Sequence, residues 1–285
     1  MASIRDIKRR IKSIKNIQQI TKAMKMVSAA RLRRVQSALL ALRPYANKLQ
    51  SLLDHLSGSA LSHPFLTERE IKRVCFVIIA GDRGLCGGLN SNLLRFAEQQ
   101  LTACPYPKTL FLLGNKAYDH FRRGDWELGD SHDMLSDNPS FFQSKALAGR
   151  LINGYLNEEF DQINIIYTEF RSVMSQRPAL KQLLPIVQQS ESDQAETAGA
   201  FGDYIFEPDQ ESLLAFVLPQ YVEVTTHRAL LESKASEHGA RMAAMSAAAD
   251  NALEMIDDLT LFLNRARQAA ITKEITEIMG GAAAL

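Results

Sequence analysis

Residues 221–270 read YVEVTTHRALLESKASEHGARMAAMSAAADNALEMIDDLTLFLNRARQAA, and this stretch decides the architecture. Tyr221, Val224, Arg228, Leu231, Ala235, His238, Met242, Met245, Ala249, Ala252, Ile256, Leu259, Leu263, Ala266 and Ala270 follow one another in alternating steps of three and four, without a missed step. A spacing averaging about 3.5 keeps one seam facing a partner helix, the pattern of a left-handed coiled coil. Much of the seam is alanine, so the partner axis is expected toward the lower end of the roughly 8–10 Å range. Past Ala270 the seam positions fall on Lys273 and Glu277, so the two-helix coil is expected to end there.

The partner is found at the other end of the chain. There is no glycine before Gly58, and Leu32, Val35, Leu39, Leu42, Ala46, Leu49, Leu53 and Leu56 keep the same beat. Ile4, Ile7, Ile11 and Ile14 keep it in an earlier phase, and Ile17, Ile20, Met24 and Val27 follow with an extra step of three, which reads as a stammer. Helices of this size reach on the order of 80 Å at about 1.5 Å per residue, more than one globular domain buries. Both join the middle of the chain at their inner ends, so they must pair antiparallel. Pro44 and Pro219 each remove a helical hydrogen bond, and a bend or helix boundary is expected near either.

The middle alternates. Val74–Ala80 (VCFVIIA), Thr109–Leu113 and Ile163–Thr168 are short β-rich runs, with helical stretches near Leu89–Thr102, Lys116–Arg123 and Phe141–Leu156. Strand and helix at this spacing predict a small α/β domain on a mostly parallel sheet. Ser190–Gly199 reads as a polar surface loop. The expected division is 1–58 for the first coil helix, 70–208 for the α/β domain and 209–285 for the second coil helix.

The chain of 285 residues has a formal net charge of only +1, unevenly placed. Met1 to Ala60 carries thirteen Lys or Arg against Asp6 and Asp54, leaving +11 there and −10 in the remainder. Such an arm implies an acidic partner: nucleic acid, anionic lipid or an acidic protein surface. Three cysteines, Cys75, Cys86 and Cys104, make no disulfide framework and have no metal-like pairing with histidine. No stretch is long and apolar enough to span a bilayer, which predicts membrane association only through another protein. Asp82–Gly88 (DRGLCGG) sits between strand and helix, where phosphate loops occur, yet it fits neither nucleotide fingerprint. A tight turn or a subunit contact accounts for its glycines. His227 and His238 read as surface or seam residues.

Met24–Leu32 (MKMVSAARL), Gly81–Asn90 (GDRGLCGGLN), Ala229–Met242 (ALLESKASEHGARM) and Thr260–Leu285 (TLFLNRARQAAITKEITEIMGGAAAL) resemble gamma subunits of F-type ATP synthases, in order and over the whole chain. The redox-regulated photosynthetic members carry an inserted cysteine pair that is absent here, so the bacterial type is the nearer match. The resemblance implies a non-catalytic central-stalk rotor without cofactor, present once per complex. Its implied partners are the alpha and beta subunits, the epsilon subunit and the c-subunit ring, with no nucleic acid, at the cytoplasmic face of the bacterial inner membrane.

The resemblance also implies roles for particular residues. Lys22, Met24, Lys25, Arg31 and Arg33 match the part of the shaft that meets acidic lever loops of the beta subunits. Arg267, Gln268, Thr272, Glu274 and Glu277 match residues that hydrogen-bond a beta-subunit loop. The uncharged tail, with Ile278, Met279 and Leu285, matches a bearing in the apolar sleeve of the hexamer. Asp82, Arg83 and Cys86, with Tyr204 and Glu207 in the YIFEP run, match foot contacts to epsilon and the c ring. Two other readings stay open on the residues alone: a nucleic-acid-binding coiled coil, and a nucleotide-dependent enzyme on the α/β domain.

Overall fold

The computed structural model describes residues 4–56, 63–133, 136–186 and 209–283. Tyr204, Glu207 and Leu285, and the loop reading for Ser190–Gly199, lie outside these residues.

Two helices dominate: α1, Ile4–Leu56, and α5, Gln210–Ala283. Neither proline interrupts them, which corrects the expected boundaries; Pro44 lies inside α1 and Pro219 inside α5. At each the missing N–H removes one helical hydrogen bond, and the helix runs on through it. Asp209 starts α5, its Oδ1 accepting from the Ser212 backbone N–H at 2.8 Å and its Oδ2 from the Ser212 hydroxyl at 2.9 Å. These bonds hold the Asp209 carboxyl below the usual carboxylate range.

The chain forms two compact units, Met1–Ala29 with Arg241–Leu285, and Ala30–Ala240. The second unit is built on a five-stranded sheet in the order β3-β2-β1-β4-β5. Its strands are β1 Val74–Ile79, β2 Lys108–Leu113, β3 Glu127–Asp133, β4 Gln162–Ser172 and β5 Ser175–Leu184. The first four run parallel, and β5 returns antiparallel to β4 as a hairpin. Helices α2, Leu89–Ala103, α3, Asn115–Phe121, and α4, Phe141–Leu156, supply the crossovers. The VCFVII run of β1 is buried at all six positions because both of its faces are covered. Phe76 and Ile78 face a core with Leu93, Ala97, Leu101 and Leu110; Cys75, Val77 and Ile79 face a second core with Leu147, Leu151, Tyr155, Leu218, Val222 and Leu230.

The α/β reading and its three crossover helices hold. Strands β3 and β5 were not anticipated. ELGDSHD is polar, and SQRPALKQLL carries Pro178 and four charges or amides; both are edge strands, where such residues blunt an exposed ladder.

Candidate functional site

In the unit of residues 1–29 and 241–285 the α5 seam follows the sequence reading. Met245, Ala252 and Ile256 are buried, Ala249, Leu259, Leu263, Ala266 and Ala270 are half-buried, and every residue from Ile271 to Gly280 is exposed. The pairing with α1 is pinned where Lys25 Nζ donates to Ser246 Oγ at 2.9 Å. From there α1 runs back to Ile4 while the α5 seam runs on to Ala270, the antiparallel sense.

The α1 seam departs from the expected stammer. Burial continues Ile4, Ile7, Ile11, Ile14 through Gln18 and Thr21 to Ser28 in the same phase, with Met24 half-buried where the strict beat falls on exposed Lys25. Thr21 is 8% and Ser28 3% exposed, whereas Ile17, Ile20 and Val27 are 51%, 59% and 52% exposed. A continuous helix holds its phase whatever its composition, so the apolar residues here are turned outward. The two seam hydroxyls close onto their own helix, Thr21 Oγ1 donating to the Gln18 carbonyl and Ser28 Oγ to that of Met24.

Outward chemistry therefore differs between the two helices. From Ile4 to Ala29 α1 carries eight Lys or Arg and one acid; from Arg241 onward α5 carries four basic residues and six acids. Lys22 and Lys25 are exposed beside half-buried Met24. On α5, Arg267, Gln268, Thr272, Glu274 and Glu277 are all exposed; Thr272 Oγ1 donates to the Gln268 carbonyl at 3.0 Å and Lys273 pairs with Glu277 at 3.5 Å. Among them stand Leu261, Phe262, Ile271 and Ile275, all about half exposed or more, and beyond them Ile278 and Met279 at 72% and 67%. A monomer rarely leaves so much large apolar side chain in water unless a partner covers it.

In the unit of residues 30–240, α5 starts with exposed turns, Phe216 being 67% exposed, and then becomes enclosed by its own chain. From Val224 to Ala240 each residue except Arg228 is buried, so the stripe read over this stretch is not the burial pattern, and Arg228 is not a seam residue. Ser233 and Ser236 bond the backbone of Thr168 in β4, and a Cβ at Gly239 would crowd the Phe170 ring at 3.2 Å. His227 is buried rather than on the surface, with its Nδ1 2.7 Å from Ser144 Oγ and its ring edge-on to Phe141; burial pulls its pKa down. His238 is fully buried near the Asp137 carbonyl at 3.4 Å.

Lys234 is 2% exposed and lies between Glu237 Oε2 at 2.9 Å and Asp82 Oδ2 at 3.4 Å. This ion pair cluster sits at the carboxyl end of β1, where the strand order switches direction and where open α/β sheets place ligands. Here the crevice is filled by α5. The remaining space beside Gly81, Asn90, Ser233 and Lys234 is about 10 Å³, at most a single water. A nucleotide has no room there.

The Gly81–Asn90 loop closes over the same end. Asn90 Oδ1 accepts from the Gly81 N–H at 3.0 Å, and its Nδ2 donates to Cys86 Sγ at 3.3 Å. Leu85 and Gly87 take φ of 63° and 60°. The turn points Asp82 and Cys86 inward, Cys86 to 2% exposure, and sends Arg83 and Leu85 out. Of the three loop residues assigned a docking role, only Arg83 is thus placed to meet another molecule. Arg33 is exposed, but Arg31 is already paired, its guanidinium 2.6 Å from Asp137. That pair was invisible in the sequence, since nothing marks Asp137 among neighbouring polar residues.

Among the described residues, no group of three or more His, Cys, Asp or Glu could hold a metal ion, and no helix is long and apolar enough to cross a membrane.

A family model described as ATP synthase matches residues 3–285. The chain is 49% identical over 287 residues to the ATP synthase gamma chain of Desulforamulus reducens and 41% identical over 290 residues to that of Staphylococcus epidermidis, covering all of both. Among solved structures it resembles a chain of the Euglena gracilis mitochondrial ATP synthase (OSCP/F1/c-ring) at 22% identity with a TM-score of 0.70, over 99% of this chain and 94% of that one. It also resembles a chain of the Tetrahymena thermophila mitochondrial ATP synthase (central stalk/c-ring) at 24% identity with a TM-score of 0.59, over 80% and 99% of the two chains.

Proposed function

Because the chain belongs to the ATP synthase family, among relatives that are gamma chains, we propose that it works as the central-stalk rotor of an F-type ATP synthase and is itself no catalyst. One observation carries this reading: the unit of residues 1–29 and 241–285 is basic on one helix, acidic and apolar on the other, and leaves both outward faces to partners. Turned inside a ring of three alpha and three beta subunits, such an object makes different contacts with each catalytic site. It thereby shifts their relative stability in sequence, because differential contact is what biases a conformational equilibrium.

In this reading Lys22, Met24, Lys25 and Arg33 face acidic beta-subunit loops, with Arg31 able to exchange Asp137 for them. Arg267, Gln268, Thr272, Glu274 and Glu277 meet a beta-subunit loop, and Ile278 and Met279, with Leu285, form the bearing. Arg83 and the segment holding Tyr204 and Glu207 meet epsilon and the c ring. The working division is 1–58, 70–208 and 209–285, and the protein is peripheral at the cytoplasmic face of the bacterial inner membrane. The filled crevice at Lys234 speaks against an enzyme on the sheet. The outward apolar residues, which a nucleic-acid backbone would not cover, speak against a nucleic-acid arm.

Affinity purification from gently solubilised membranes tests the assignment: alpha and beta in threefold excess over this chain, with epsilon and c, are expected, and recovery alone or with nucleic acid refutes it. Reversing charge together at Lys22, Lys25 and Arg33 is expected to leave assembly intact and to weaken ATP-driven ion pumping relative to hydrolysis. An unchanged ratio removes the basic band from the coupling contact.

A further inference from the structure

The unit of residues 30–240 holds a cavity of about 350 Å³ that the rotor reading does not use. Its walls come from three elements: Gln36, Leu39, Leu42, Arg43 and Ala46 of α1, Phe170 and Arg171 at the end of β4, and Arg228 and Glu232 of α5. The volume lies at the small end of the roughly 300–1,000 Å³ typical of small-molecule sites.

The lining divides into an apolar floor and a cationic side. Leu39, Leu42, Ala46 and Phe170 make the floor. Arg171 spends its Nε on Glu169 at 2.9 Å, and Arg228 spends its Nε on Glu232 at 2.8 Å, so each keeps its Nη groups for another acceptor. Glu232, only 6% exposed, accepts from Arg228 through Oε1 alone and fixes that guanidinium in place, while its Oε2 is buried without a hydrogen-bond partner. Arg43 has no carboxylate within ion-pairing distance among the described residues. The field extends inward: Lys181 is drawn below its ordinary pKa by burial and then by Arg228, and Tyr167 is pushed up to about 12 by burial and then by Glu232.

We infer that this cavity is a binding site for a small amphipathic carboxylate, whose head is held by Arg43 and the outer amino groups of Arg171 and Arg228 and whose apolar body lies on Leu39, Leu42, Ala46 and Phe170. Guanidinium groups pair with carboxylates through parallel N–H donors, and the charge-assisted bonds are the strong ones. An occupant touches α1, α5 and the β4–β5 hairpin at once, so it ties three elements of this unit together and raises its melting temperature by mass action.

Calorimetric titration of the full-length chain with decanoate, and separately with decanol, tests the site. One saturable decanoate site per chain is expected, with decanol weaker by roughly tenfold or more, the worth of a charge-assisted hydrogen bond. Leu39→Trp fills the cavity and is expected to abolish decanoate binding. Arg43→Glu, at an exposed position that leaves the fold intact, is expected to weaken it by a similar factor of about ten or more. Absence of a saturable site, equal binding of decanol, or binding unchanged in Arg43→Glu each overturns the proposal, whether or not the Leu39→Trp chain folds.

Discussion

The same two helices obey different rules in the two units. From Val224 to Ala240, α5 is buried by its own chain at every position but Arg228, and its charged groups are paired: Lys234 with Asp82 and Glu237, Arg228 with Glu232. Between residues 241 and 280 it is covered along one stripe only, and Leu261, Phe262, Ile275 and Ile278 stand in water. The first arrangement is what a chain does when it must supply the partners of its buried charges itself, although Thr226 Oγ1 and Glu232 Oε2 are buried without a hydrogen-bond partner. The second leaves burial to other molecules. Polarity alone therefore says little about inside and outside in this protein; what separates the units is whether the partner of each side chain is encoded in the same chain.

The difference is broken most severely at Lys234. Lys234→Ala leaves Asp82 and Glu237 buried without their cation, and a loss of about 3–5 kcal/mol is expected, the range for removing one partner of a buried ion pair. Urea unfolding of the full-length chain measures it. A loss below about 1 kcal/mol, the value of an exposed pair, means water reaches the cluster.

Ile20→Ser sharpens the contrast from the other side. Its side chain is 59% exposed, so the unfolding free energy is expected to change by no more than about 0.5 kcal/mol. Coupled ion pumping by the assembled complex, in contrast, is expected to fall. If stability drops while coupling is untouched, Ile20 is packed by its own chain and the comparison fails.

The smallest effect concerns His227, whose pKa burial lowers. The unfolded chain then binds the proton more readily than the folded one. The His227 contribution to stability is present above the unfolded value near 6.5 and is lost as pH falls below it toward the folded value. His227→Asn is expected to flatten the dependence of unfolding free energy on pH over that window. A slope identical to that of the unsubstituted chain shows that His227 stays accessible to protons.

Local pattern made much of this legible. VCFVII could only be a strand buried on both faces, and the alanine-rich seam from Met245 to Ala270 needed no tertiary information. Where reading failed, a longer-range balance decided. Ile17, Ile20 and Val27 are the apolar residues in their stretch and were assigned to the seam, yet helix phase gives the seam to Gln18, Thr21 and Ser28. Glu232, Lys234 and Glu237 look like a solvated face because their partners lie on Arg228, Asp82 and one another, the most distant 152 residues away. Arg31 reads in the sequence only as one more basic residue of the arm, because its pairing with Asp137 depends on a loop that no periodicity announces.

The pin between Lys25 and Ser246 joins residues 221 positions apart. During synthesis the first half of α1 leaves the ribosome long before its mate exists. At about 5–20 residues per second, the interval is on the order of 10–40 s. Throughout that time Ile4, Ile7, Ile11 and Ile14 form a greasy stripe with nothing to lie against. The newborn chain thus carries an amphipathic stripe whose cover is translated only some 221 residues later.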